Sequence, residues 1–407
     1  MTDYLVEKHI IKSTHRFFKE LDNLCFLSKN LYNATLYAVR QQYFKDESYL
    51  DYATVNKAFT HSKQADYIAL PAKVSKHTQK LVDKAYRSFF ALRKHKNTDI
   101  SKSAKIPKYL DKNGRQVVHY VKGALSLVKQ GFIKLSKTNI IFKTKLPKQA
   151  IHFVRVVPCG NHITLEVGYK VDYPTQQVKA NRIASIDIGL NNLATITSTV
   201  DKPFILNGKP LKAINQYANK EVAKEQNKLD TKAKTSTKRK DSLWLKRKNK
   251  ISNYLHKASR LIVNYLVSNK IDTLIIGKNN GWKQNINIGK KNNQNFVQIA
   301  FASFIDKLQY KCRLVGVDVV LQEESYTSKC SFLDDEEICK HEKYLGKRIK
   351  RGIFRASNGK TINADVNGSA NILKKYLQTK ATWNDKIKSD LVEMCSTSAI
   401  QKITPHW

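Results

Sequence analysis

Acidic side chains are scarce in this 407-residue chain: 33 Asp and Glu stand against 73 Lys and Arg, which leaves a formal charge of +40. Such an excess repels itself unless a polyanion neutralises it, so the balance points to a nucleic-acid partner. Long apolar runs are missing too. The most apolar stretches, such as LIVNYLV, are too short to span a bilayer, and the opening MTDYLVEKHI has no apolar signal core. No membrane partner is expected, and the protein is expected in the cytoplasm, in a bacterial cytosol or nucleoid. Cysteine is sparse: Cys25, Cys159, Cys312, Cys330, Cys339 and Cys395 lack the density of a secreted disulfide scaffold and are expected reduced. Disorder, the other meaning of high charge, is opposed by 41% hydrophobic residues with 19 Tyr, 16 Phe and 4 Trp. The length predicts two or three domains.

Along the chain the hydrophobic period changes several times. Leu24, Leu27, Leu31, Ala34 and Ala38 recur at three and four residues and predict a helix over 12–45. A second helix is expected over 73–93. There Lys73, Lys76, Lys80, Lys84 and Arg87 fall on one face, either a solvated surface or a ribbon for a phosphate backbone that relieves their mutual repulsion. From about 115 to 178 the period becomes two, as in Ile163, Leu165, Val167, Tyr169 and Val171 after the turn PCGN. This antiparallel unit, interrupted by the basic loops KYLDKNGR and KTKLPK, reads equally as a nucleic-acid-gripping barrel or a structural connector. Between Pro210 and Gly277 there is neither Gly nor Pro, which predicts two long helices broken near TKAKTST. Their basic residues, including Arg239, Arg247 and Lys248, surround Trp244, and with few acids to pair they suit phosphate contact with occasional base stacking.

Three carboxylates from distant segments read as one metal site on an α/β RNase H-like core. Asp187 closes a short apolar strand in IASIDIGLNNLATI, and the turn after it leads straight into LATITS. A further strand, IDTLIIG, a loop (KNNGWKQNINIGKKNNQN) and a helix from about Phe296 to Cys312 come before VGVDVVLQEES. In that strand Val315, Val317, Val319 and Leu321 face a core, while Asp318, Gln322 and Glu324 share the other side. Parity therefore selects Glu324 over Glu323, unless a twist at the strand end exchanges them. Asp365 opens a helix in INADVNGSANIL, where an aspartate also looks like an ordinary N-cap. Its company decides the matter, because phosphodiester hydrolysis calls for hard, oxygen-coordinated ions, two Mg²⁺ about 4 Å apart.

IDIGLNNLATI, QNFVQIAFASFIDKLQYK, EESYTSKC and NADVNGSANI together carry a resemblance. Over nearly its whole length the chain resembles the TnpB (OrfB) proteins, RNA-guided nucleases of small bacterial transposons whose core is shared by type V CRISPR effectors. The resemblance implies a wedge β-barrel (1–12 and 105–178) interrupted by a helical recognition domain (13–104). A RuvC nuclease domain (179–325 and 365–380), a zinc-ribbon-like insertion (326–364) and a C-terminal tail (381–407) follow. It also implies a guide RNA made from the transposon end and a double-stranded DNA target beside a short motif, with Asp187, Glu324 and Asp365 as catalytic Mg²⁺ ligands. Two departures stand out. Where many relatives carry a glutamate after the strand IDTLIIG, this chain has Lys278, which predicts relocation of that acid to Glu324. The insertion offers only Cys330, Cys339 and His341 in place of two CxxC pairs, which predicts no zinc site and KYLGKRIKRGIFR as a basic hairpin. The rival readings are a nuclease-impaired RNA-guided repressor, a DDE-type transposase, which would use three acids on the same fold without a guide, and a CRISPR effector differing only in where its guide comes from.

Overall fold

The computed structural model of the chain describes residues 3–94, 104–129, 131–174, 181–229, 237–279, 298–396 and 400–405. The expected break at 231–236 and most of the loop before residue 298 lie outside them.

Residues 1–172 form one compact unit. Strand β1 (Asp3–Lys12) leads into four helices, α1 (Phe18–Asp46), α2 (Tyr52–His61), α3 (Ala65–Ile68) and α4 (Ala72–Arg93). Strands β2 (Val118–Val121), β3 (Leu125–Lys129), β4 (Phe132–Leu135), β5 (Ile141–Lys143), β6 (Ile151–Pro158) and β7 (His162–Val171) follow. β1 pairs with β7 along its whole length, from Asp3 opposite Val171 to Lys12 opposite His162, so the helices are an insertion within the sheet β1-β7-β6-β2. The strands expected to make one barrel fall into this sheet and a second one, β3-β4-β5, because a 3₁₀ turn at Lys122–Ala124 ends the first ladder. Val118, Tyr120, Ile133, Leu135, Val154 and Val167 join Leu21 and Leu31 of α1 in one core. The helix predicted from residue 12 begins only at Phe18, since β1 takes the residues before it.

Residues 173–407 form the second unit. In chain order they give β8 (Ile183–Asp187), β9 (Asn192–Ser198), β10 (Phe204–Asn207), α5 (Lys209–Asn227), α6 (Lys238–Ser268), β11 (Thr273–Gly277), α7 (Phe301–Arg313) and β12 (Asp318–Gln322). After them come β13 (Lys347–Lys350), β14 (Ile353–Arg355), β15 (Thr361–Asn363), α8 (Ala364–Thr379), α9 (Asp385–Cys395) and β16 (Gln401–Ile403). The main sheet runs β12-β11-β8-β9-β10-β16. β8, β9 and β10 are antiparallel, and β11 lies parallel to both β8 and β12. Without β16 the order is third-second-first-fourth-fifth, the arrangement of an RNase H-like sheet.

Both faces of this sheet are covered, as the unbroken apolar run of β11 requires. Leu274 and Ile276 face a core with Tyr254, Ile262, Phe304 and Leu308 of α6 and α7, while Ile275 faces Val366, Ile372 and Leu373 of α8. Two details of the sequence reading change. Leu321 does not reach the core and is 43% exposed, because β12 is an edge strand. The C-terminal tail supplies a sixth strand, β16, parallel to β10.

Candidate metal centre

Strand parity sets the centre. Ser185 and Asp187 sit on the face of β8 that receives α8, and the Ser185 hydroxyl donates to the Ser369 carbonyl at 2.7 Å. The helix comes this close because small residues line it: a Cβ at Gly368 would stand 2.8 Å from Asp187 Oδ2. On the neighbouring strand a Cβ at Gly277 would stand 2.6 Å from Glu324 Oε2 and 2.5 Å from the Ile372 side chain. Glycine at 277 and 368 therefore makes the room the two carboxylates occupy.

Glu324, not Glu323, enters this recess. Its backbone N–H donates to Asn279 Oδ1 at 3.0 Å, and its buried Oε2 has no hydrogen-bond partner among the described residues. Glu323 turns outward to Lys375 at 2.5 Å. Asp318, at the far end of β12, is about 13 Å from Gln322 by strand rise and takes no part. Lys278, just past β11, donates its backbone N–H to the Gln322 carbonyl.

Asp365 reaches the site from the first turn of α8 but does not cap it. The N-cap is Asn363, whose side chain accepts from the N–H groups of Asp365 and Val366 at 3.0 and 3.3 Å, which leaves the Asp365 carboxylate free for other partners. Those partners are Asn192 Nδ2 at 2.6 Å and Arg348 of β13 at 3.3 Å. Among the described residues no group of three His, Cys, Asp or Glu side chains is gathered tightly enough to hold a metal ion as it stands. Asp187 and Glu324 share the recess, and Asp365 is drawn aside by its amide and guanidinium partners.

The electrostatics are those of carboxylates short of positive charge. Burial, reinforced by the Glu324 and Asp365 charges and only partly offset by Arg348, pushes the Asp187 carboxyl up to about 8. Burial and then Glu323 push Glu324 up to about 7. A divalent cation would remove both penalties at once. The donor set suits a hard ion: all oxygen, with one buried atom orphaned, beside two glycines where a Cβ would collide with the carboxylates.

Other residues singled out in the sequence separate into two groups. Asn367, Ser369 and Asn371 of α8 are structural: Asn367 accepts from Phe332 N–H and donates to the Cys330 carbonyl, and Asn371 donates to the Thr327 and Cys330 carbonyls, all at 2.8 to 2.9 Å. They fix the start of the 326–364 insertion to the helix. Cys330 is buried, with its thiol pushed up by burial, and Cys339 Sγ lies 3.4 Å from His341 Nε2. The basic hairpin expected there is β13 and β14, with β15 as its third strand.

Several residues of the expected nucleic-acid faces are engaged within the protein. On α4, Lys76 and Lys84 are exposed, but the ribbon is not free of acids: Arg87 pairs with Asp83 at 2.8 Å, Lys73 donates to the Gly123 carbonyl and Lys80 lies over the Tyr52 ring. On α6, Arg239 pairs with Glu225 at 3.0 Å. Arg247 is built into the fold, donating to Asn215 Oδ1 and the Gln298 carbonyl and lying against Trp244, with burial holding its guanidinium below the ordinary range. Lys248 is exposed and Trp244 is 38% exposed. Asn192, Asn363 and Arg348 were not singled out by the sequence reading. Their roles arise from contacts across 17 to 173 positions, apart from the Asn363 cap, which NADVNGS signals locally.

Comparison with known proteins shows what the chain is similar to. Residues 166–283 match the family model OrfB_IS605, described as "Probable transposase", and residues 301–372 match the Cas12f1-like TNB domain. TnpB-like protein ORF457 of Acidianus two-tailed virus is 23% identical over 404 residues, covering 88% of this chain and 83% of that protein. A Cas12f1 chain solved by cryo-EM in complex with sgRNA and target DNA has the same fold, at a TM-score of 0.54 and 13% identity over 88% of this chain and 82% of that one. With two family models matching parts of residues 166–372 and a TnpB-like relative along most of its length, the chain is similar to the TnpB (OrfB) proteins.

Proposed function

We propose that the protein is an RNA-guided, Mg²⁺-dependent DNA endonuclease whose cutting centre is Asp187, Glu324 and Asp365. The observation that carries this reading is the Asp187 carboxylate, set on an RNase H-like sheet and raised first by burial and then by the charges of Glu324 and Asp365. The guide RNA, drawn from a transposon end, would choose the DNA by base pairing, while the protein reads RNA shape and a short DNA motif. The 1–172 unit is read as the wedge and its helical insertion as the recognition domain; 326–364 is a degenerate zinc-ribbon-like insertion without zinc. Lys73, Lys76, Lys80, Lys84, Arg87, Arg239 and Lys248 are all exposed and are proposed for phosphate contact, with Lys76, Lys84 and Lys248 the least engaged within the protein.

Asp187 and Glu324 would hold the ions, and Asp365 would complete the set by leaving Asn192 and Arg348. Bound Mg²⁺ would supply Lewis-acid polarisation of the phosphodiester and an acidified water. The chain's own work is to keep Asp187 rigid on a strand, to leave Glu324 Oε2 without a competing donor and to hold Asp365 on a capped helix turn. Purifying the protein with its co-expressed RNA and challenging a matching plasmid in Mg²⁺ or EDTA tests this. Cutting in Mg²⁺ alone, lost in Asp187→Ala with RNA binding kept, supports it; RNA loss together with cutting, or cutting by the variant, removes the assignment.

A second reading, a nuclease-impaired RNA-guided repressor, draws on the engaged state of Asp365 and on Lys278. Binding of the guided complex to its target with no cleavage at any Mg²⁺ concentration would select it.

A further inference from the structure

Beside the centre lies a cleft of about 560 Å³ lined by Lys209 and Lys212 of α5, Arg351 of the hairpin turn, Lys402 of β16 and the Asn191–Asn192 pair. We propose that this cleft is a phosphate subsite holding the backbone of the DNA strand being cut, next to the linkage that is hydrolysed. The proposal rests on the nuclease reading for the identity of the strand and on its own observations for the site.

Four cations converge there, and among the described residues no ion pair joins any of them to a carboxylate. Lys209, Arg351 and Lys402 are exposed and Lys212 half-buried, so their charges are available to a ligand. Elsewhere on the same unit the chain spends its few acids on comparable lysines, as in Lys224 with Glu221 and Lys228 with Glu225. The placement is also costly for the protein alone. Lys209 and Lys212 occupy the first turns of a 19-residue helix whose first turn has no acid, where the helix dipole disfavours positive charge by a few tenths of a kcal/mol or more each. Burial and the neighbouring Lys209 ammonium, only partly offset by the Asp365 carboxylate, hold Lys402 below the ordinary lysine range. A bound phosphate reverses each of these penalties.

The cleft is joined to the centre through one residue. Lys402 Nζ donates to Asn192 Oδ1 at 2.6 Å, and Asn192 Nδ2 donates to Asp365 Oδ2 at 2.6 Å. Lys212 Nζ donates to Asn191 Oδ1 at 2.9 Å on the same turn. Lys402 therefore lies two hydrogen bonds from Asp365, and a backbone phosphate held by it three, on the side of the site opposite Glu324's strand. The sixth strand gains a purpose from this: β16 carries Lys402 to the mouth of the site by pairing with β10.

The test uses guide-loaded protein and target DNA in which one methylphosphonate linkage, neutral but isosteric, is walked along the cut strand. In the wild type one linkage near the cut should slow single-turnover cleavage about tenfold, the order expected for one charged contact. Lys209→Ala/Lys212→Ala should already be slower by a similar factor and lose nothing further at that linkage. An equal penalty in both proteins, or a double variant as fast as wild type, overturns the subsite. A second arm needs no cutting: in the Asp187→Ala background, short single-stranded DNA is titrated at several salt concentrations. The slope of log K against log salt should shrink by about 1 in the double variant, as lost phosphate contacts dictate. An unchanged slope overturns the subsite, whereas absence of cutting by wild type counts against the nuclease reading alone.

Discussion

Replacing Asp187 by Asn should make the metal-free protein more stable, and increasingly so as the pH rises. The Asp187 carboxyl moves from an ordinary 3.8 to about 8 in the folded chain, so the folded state binds the proton more tightly than the unfolded one. The sign follows from linkage: when the native state holds more protons, stability falls as pH rises through the window between the two values. Between pH 5 and pH 8 that loss reaches about 4 kcal/mol at 1.36 kcal/mol per unit. The residue is half-buried by area, so solvent screening reduces the expectation to about 2 kcal/mol. Asn cannot titrate, and the gap between variant and wild type should therefore widen by about that amount over the same range. For a unit of this size about 2 kcal/mol corresponds to roughly 4–8 °C in Tm. All four tryptophans, Trp244, Trp282, Trp383 and Trp407, belong to residues 173–407, so their fluorescence reports the unit that carries the site. Melting in EDTA at pH 5, 6, 7 and 8 gives the two profiles, and adding Mg²⁺ at pH 8 should then raise the wild type more than the variant. Profiles that run parallel across the range would refute the buried, charge-starved description of Asp187.

Glu324→Ala should reduce guided cutting at least 100-fold, whereas Glu323→Ala, which removes only the ion pair with Lys375, should cut at close to the wild-type rate in the same plasmid assay. Gly368→Ala places a methyl group against the Asp187 carboxylate; cutting should fall while circular dichroism and Tm stay near wild type, and an active variant would show that the recess is looser than described. Asn363→Ala removes the cap that presents Asp365 and should cost about 1 kcal/mol of stability, read by urea denaturation, together with slower cleavage.

Much of the 173–407 unit could be read from the sequence because its signals are local. The run TLIIG is apolar enough to require burial on both faces, the lack of Gly and Pro after Pro210 favoured the two helices that precede it, and period-two parity separated Glu324 from Glu323. What escaped depends on partners distant in the chain. No local pattern reveals that Lys402 reaches Asn192 across 210 positions, that Arg247 is occupied by Asn215, or that Glu225 awaits Arg239. Asn363 rather than Asp365 caps the helix, a choice the sequence leaves open because both residues are good caps and only backbone geometry separates them. Gly277 and Gly368 gave no signal of their own, since the close approach that demands glycine exists only once strand and helix meet.

The pairing of β1 with β7 has a consequence for how the protein is made. The first strand emerges from the ribosome far ahead of its partner, at residues 162–171, so it must wait unpaired while the helices between them form from short-range contacts. Joining the ends of so long a loop is slow but entropically modest, since the closure cost grows only with the logarithm of length. Deleting the opening ten residues would then leave the helical insertion able to form yet strip β7 of its outer neighbour, exposing a ten-residue edge to self-association.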